Sequence, residues 1–201
     1  MLIRPHDDGT EDEARWRAFV DAQGFGHLVA AGEGRSVPVV VPTQFLLEGD
    51  RVRLHLAKAN PLFAALEENP TVVLSVAGDW AYIPGAWKQI DDEDPRFGIP
   101  TTYYGAAQLT GVATVLDEPA AVASTLEAQV AVLEPDGDYV DPIEHGARLR
   151  TIRGLEIAVT EVRAKFKYGG NVDEAHRAAV ATHLAGREGP GDAAALRQMG
   201  R

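Results

Sequence analysis

Cysteine is absent from this 201-residue chain, which excludes a disulfide framework and any thiolate metal site. The six histidines show no zinc-ligand spacing. Long hydrophobic runs are missing too: the longest, residues 37–47 and 71–77, are strand-length and broken by Pro or polar residues, too short to span a bilayer. Basic charge is scarce. Nineteen Lys and Arg stand against thirty Asp and Glu, giving a net charge of -11 and a pI near 4.9. That field repels a phosphate backbone and disfavours direct nucleic-acid binding. Residues 1–13 lack the basic and apolar regions of a signal peptide, so a cytoplasmic, soluble protein is expected. No Gly-x-Ser-x-Gly is present, which leaves a hydrolase without a nucleophile. Gly24-Phe25-Gly26 and Gly32-Glu33-Gly34 precede strands rather than joining strand to helix, against a Rossmann domain. The acidic run Asp91, Asp92, Glu93, Asp94 lacks the alternating ligands and central Gly of a calcium loop and reads as solvated.

What is present is an ordinary globular balance, 45% hydrophobic and 24% charged, with no interior linker. One domain over residues 1–201 is expected, with a helical tail from about 172. Thr10 and Glu13 have capping-box spacing, and Trp16, Phe19 and Val20 form one apolar stripe on a first helix ending near Gly24. A period of two then predicts strands at 26–31, 37–47, 51–57, 71–77, 80–83, 103–116 and 155–167. Asn60 and Pro61 predict a helix start with Leu62, Phe63 and Leu66 inward. Asp117 is expected to cap a helix carrying Val122, Leu126, Val130 and Leu133 on its inner face. The fold class is β-rich α+β, an antiparallel split β-barrel with flanking helices and a helical C-terminal tail. Short hairpins favour full closure, which removes exposed edges.

Four segments carry candidate chemistry. His55, Leu56, Ala57, Lys58 and Asn60 run from a strand into a helix start, where unpaired N–H groups and the Lys58 ammonium would hold an anion. Arg51, Arg53 and His55 share one strand face, and Val52, Leu54 and Leu56 the other. An ordinary solvated lysine and a simple cap would satisfy the same spacing. Tyr82 and Trp87 flank a Pro-Gly turn where a planar ring could stack, or where they merely cover a barrel mouth. Thr101 and Tyr104 open the next strand group with hydroxyl donors. Lys165 and Lys167 share a strand face before Gly169-Gly170, a pattern also met by lysines that protect a sheet edge. Tyr82, Trp87, Tyr103 and Tyr104 are expected to expose aromatic surface that a homodimer would cover.

Taken in order, these segments resemble the PaiB-type family, described as FMN-binding negative transcriptional regulators. His55-Leu56-Ala57-Lys58-Ala59-Asn60-Pro61 is similar to the family's His-Leu-Ala-Arg-Ala-Asn-Pro. Tyr82-Ile83-Pro84-Gly85-Ala86-Trp87 resembles its Tyr-Ile-Ser-Pro-x-Trp, and Pro100-Thr101-Thr102-Tyr103-Tyr104 stands where it has Pro-Thr-Trp-Asn-Tyr. Lys165 to Asn171 aligns loosely with Lys-Leu-Ser-Gln-Asn. The resemblance implies a flavin split barrel, a homodimer with FMN at its interface, and cofactor contacts from His55, Leu56, Ala57, Lys58, Asn60, Tyr82, Trp87, Thr101, Tyr104, Lys165 and Lys167. Two functions follow: a flavin-dependent reductase, in which the isoalloxazine carries the redox step, or a transcriptional regulator acting by DNA or protein binding. The tail's Arg177, Arg187 and Arg197 are spaced ten apart among alanines, poor material for a recognition helix.

Overall fold

Alternating burial along the strands makes one face core and leaves the other free, and seven such strands assemble in the order β2-β1-β5-β6-β7-β4-β3. They are β1 (Phe25–Ala30), β2 (Val39–Gln44), β3 (Leu46–Glu48), β4 (Arg51–Ala57), β5 (Thr71–Ile83), β6 (Thr101–Leu116) and β7 (Ile152–Lys167). The helices are α1 (Glu13–Gln23), α2 (Leu62–Glu68), α3 (Pro119–Leu133), α4 (Glu174–Arg187) and α5 (Asp192–Met199). The computed structural model describes residues 1–88 and 94–200. The acidic run at 91–93 therefore lies outside the described residues, while Asp94 accepts from the Arg96 N–H at the start of a 3-10 turn, Pro95–Phe97.

The sheet does not close. Strand β2 stands at one edge and β3 at the other, so the expected full closure gives way to an open, antiparallel split barrel. Only Phe45 separates these two edges along the chain. The expected strand over 37–47 breaks there: Phe45 is buried, and its N–H bonds the Gly24 carbonyl instead of a ladder partner. Conversely, the strands expected at 71–77 and 80–83 are one element, β5, bent through Asp79 at φ +50°.

The chain packs as two compact units. The first comprises Val20–Val76 and Gln108–Val162. Its core is cross-strand: Leu28 faces Leu74 between β1 and β5, and Leu54 faces Leu155 between β4 and β7, all four fully buried. Fully burying one such side chain stabilises by about 1.5–3 kcal/mol. Helix α3 begins one residue later than its expected cap. Asp117 instead pairs with Arg153 at 2.7 Å. Val122 joins Leu149 in the core, but Leu133 is exposed, because α3 runs past the surface it covers.

The second unit comprises Met1–Phe19, Ala77–Ala107 and Arg163–Arg201. Trp16 and Phe19 are buried as the stripe predicts. Thr10 is not the cap of α1. Asp12 accepts the Arg15 N–H at 3.1 Å, while the Thr10 hydroxyl receives the Ala164 N–H at 3.1 Å. Phe19 meets Phe166 edge-on at 5.5 Å. A side chain at Gly105 would fall 2.7 Å from the Phe19 ring, so glycine lets that ring lie against β6. Helices α4 and α5 bury Val180, Leu184 and Ala195, confirming a helical tail. Gly191, at φ +82°, separates them, and its missing Cβ would fall 1.9 Å from the Trp80 carbonyl oxygen.

Candidate functional site

In the first unit, β4 delivers the chain into a tight turn before α2. The Lys58 N–H donates to the Thr151 carbonyl at 2.8 Å, and the Asn60 N–H to Ala57 at 2.9 Å. Asn60 then serves α2 twice: its Oδ1 accepts the Leu62 N–H at 2.9 Å and its carbonyl accepts Phe63 at 3.2 Å. The expected unpaired N–H groups are thus largely satisfied within the chain, which corrects the picture of a free helix-terminal anion site. What stays free is charge. Lys58 is exposed, and its ammonium has no partner among the described residues.

The strand before it alternates as expected, with Val52, Leu54 and Leu56 in the core and Arg51, Arg53 and His55 on the other face. Leu56 is therefore a packing residue. That other face is not an open basic surface. Arg51 pairs with Glu156, Arg53 reaches Glu48 at 3.2 Å and the Ser124 hydroxyl at 3.3 Å, and His55 Nδ1 lies 2.5 Å from Gln129 Oε1. Glu156 on β7 and Glu48 on β3 neutralise this face, and helix α3 adds the uncharged partners Ser124 and Gln129.

The second unit gathers the other candidates. Lys167 Nζ donates to Thr101 Oγ1 at 2.6 Å. Lys165 and Lys167 stand 5.4 and 5.9 Å from the centre of the Tyr104 ring, within cation–π reach. Strand β4 pairs with β7 only over Ile152–Ala158, and beside Lys165 the strand is bridged by Asp8 instead. Lys165 is buried; it donates to the Leu2 carbonyl at 3.0 Å and lies 4.0 Å from the Asp7 carboxylate. Trp87 is already stacked. His183 lies parallel to it at 4.8 Å, and the Arg187 guanidinium sits 4.8 Å from its ring centre. Tyr103, expected at the surface, is buried with its hydroxyl unpartnered among the described residues, and burial raises its pKa above the usual phenol value. Tyr82 is exposed as expected, and Trp80, Phe97 and Ile99 add exposed apolar side chains in this unit.

Two further residues belong to this cluster and escaped the sequence reading. Half-buried Lys88 has its ammonium pKa lowered, first by desolvation and then by Lys167. His176, on the first turn of α4, is lowered by desolvation and then by Lys88, with Asp173 opposing, and its Nε2 is buried without a partner. Lys88 directly follows the flagged Trp87. His176 falls seven residues before His183, two helical turns away on one face, and that spacing was the available signal.

Within the second unit, the ammonium groups of Lys165 and Lys167 beside the Tyr104 ring, with half-desolvated Lys88 near Lys167, fit an anionic, planar cofactor in chemistry. Residues 1–161 match the model of a family described as "Putative FMN-binding domain". The chain is 26% identical over 198 residues to the protease synthase and sporulation protein PAI 2 of Bacillus subtilis strain 168, covering 94% of this chain and 92% of that one. Its fold is similar to the flavocytochrome Anf3 of Azotobacter vinelandii, with TM-score 0.60, 26% identity, and 83% and 73% of the two chains covered. It is also similar to an FAD- and heme-binding protein of Mycobacterium smegmatis, with TM-score 0.61, 19% identity, and 83% and 77% covered.

Proposed function

Since the chain belongs to the FMN-binding domain family that its residues 1–161 match, we propose that it works as a cytoplasmic, homodimeric flavoprotein of the PaiB type, with Lys58 at the flavin phosphate. The observation that carries this reading is the unpartnered Lys58 ammonium on the very turn that the PaiB-type motif occupies. Bound FMN supplies one- and two-electron transfer, and the protein's part is orientation and electrostatics. Lys58 would meet the phosphate as a point charge. In the second unit, Tyr82, half exposed at the end of β5, and Tyr104, beside the Lys165 and Lys167 ammonium groups, offer ring faces of their own. The exposed Trp80, Tyr82, Phe97 and Ile99 support a dimer, because such a patch is costly to leave in water.

Titration of purified protein with FMN tests the reading. Saturation at one flavin per chain, with perturbed visible bands, is expected; a protein that takes up no FMN overturns it. Bleaching of the bound flavin by a reduced nicotinamide cofactor would assign it to the reductases.

A regulatory role is favoured by the likeness to the Bacillus protein, whose name links it to protease synthesis and sporulation. The net charge of -11 opposes direct DNA contact. A gel shift that persists into moderate salt would reverse that ranking. Among the described residues no helix is long and apolar enough to cross a membrane.

A further inference from the structure

We infer that Lys88, Lys167, His176 and the Thr101 hydroxyl form a binding site for the phosphate group of a second ligand, distinct from the flavin's own phosphate. The inference rests on the flavin reading only in assigning that other phosphate to Lys58.

Cation compensation is the first argument. Lys165 is spent on the Leu2 carbonyl and faces Asp7, but among the described residues Lys167 has only the Tyr104 ring and a neutral hydroxyl, Thr101 Oγ1, at 2.6 Å. A hydroxyl that accepts from an ammonium keeps its own proton to donate, so Thr101 can serve an incoming oxyanion. The second argument is placement. The 3-10 turn Gly85–Trp87 is pinned to α4 by the Trp87–His183 stack, which carries Lys88 to the same helix whose first turn presents His176. Lys88 feels Lys167, and His176 feels Lys88, so the two ammonium groups and the imidazole form one electrostatic neighbourhood. Asp173 is the one carboxylate that opposes this at His176. Third, His176 Nε2 is buried with no hydrogen-bond partner among the described residues, a state that is costly unless something fills it. Two ammonium groups, a ring nitrogen and a hydroxyl match a phosphate dianion in both charge and donor count.

Inorganic phosphate, titrated into FMN-loaded protein by calorimetry, is the probe, with the His176 ring nitrogens followed by nitrogen-15 NMR. One saturable site is expected, with a shift at His176. Lys88→Gln and Lys167→Gln should each weaken it about tenfold or more, and Lys167→Arg should restore most of the loss. Melting curves of each variant separate lost binding from lost folding. No saturable binding, or binding that both Gln variants leave unchanged, would overturn the site. Phosphate that binds riboflavin-loaded protein but is excluded by FMN would assign the cluster to the flavin's own phosphate and overturn its independence. Phosphate binding by protein that takes up no flavin would keep this site and sink the flavin reading alone.

Discussion

At the scale of single residues, charge compensation separates the two lysines that matter most. Lys58 has none, so Lys58→Glu should weaken FMN binding by about tenfold to a hundredfold, the loss of a charge-assisted contact plus repulsion. Riboflavin, which lacks the phosphate, should bind the variant almost as well as the parent, and fluorescence titration of both flavins reads the difference. Asp192 is the opposite case. Fully buried, it accepts from Arg187 and from the Gly189 N–H at 2.8 Å, and the Arg187 hydrogen bonds hold its carboxyl below the ordinary range against the opposing cost of burial. A depressed folded-state pKa means stability present above the unfolded value and lost as the pH falls through the folded one. Asp192→Asn should therefore cost about 1.5–3 kcal/mol near neutrality and flatten the dependence of the melting temperature on pH below about 4. Much of this scale was illegible in the chain. The alternation of β4 showed which residues would leave the core, but the hydrogen-bond partners that α3 brings to Arg53 and His55, Ser124 and Gln129, lie 71 and 74 residues away.

Among elements, period and punctuation were legible where burial is one-sided. Strand β4 matches its expected limits, Arg51–Ala57, and α2 buries Leu62, Phe63 and Leu66 as read. The misreadings share one cause: polar side chains with two possible employers. Thr10 and Asp117 have the chemistry of helix caps, yet Thr10 pairs with Ala164 and Asp117 with Arg153, contacts that only the folded sheet creates. Phe45 misled in another way, since an apolar residue continues a strand pattern even where the chain leaves one sheet edge for the other. The break before α5 is more exacting than a generic loop. Gly191→Ala combines a left-handed backbone with a collision on the Trp80 carbonyl, and should destabilise by more than about 1 kcal/mol. Denaturant unfolding would record it as a lower midpoint at unchanged slope.

For the whole molecule, sedimentation at micromolar concentration should give a dimer, and replacing exposed Tyr82 and Ile99 together by Ser should shift it towards monomer without lowering the melting temperature of the chain itself. The aromatic composition was legible but not its arrangement, because burial of Tyr103 and the capture of Trp87 by α4 depend on a tail that closes only in three dimensions. The two units also carry a consequence through their wiring. The chain passes between them after Phe19, Val76, Ala107 and Val162, and these points lie inside α1, β5, β6 and β7 respectively. Ordinary domains meet at exposed linkers; here every passage is a hydrogen-bonded element, so calorimetry should record a single transition. A genetic crossover at any one of those points would divide the unit that holds both chain ends, and one after Val76 or Ala107 would divide the other unit as well. The fold can be inherited, duplicated or fused only whole, and any new partner module must be added at an end or in a loop.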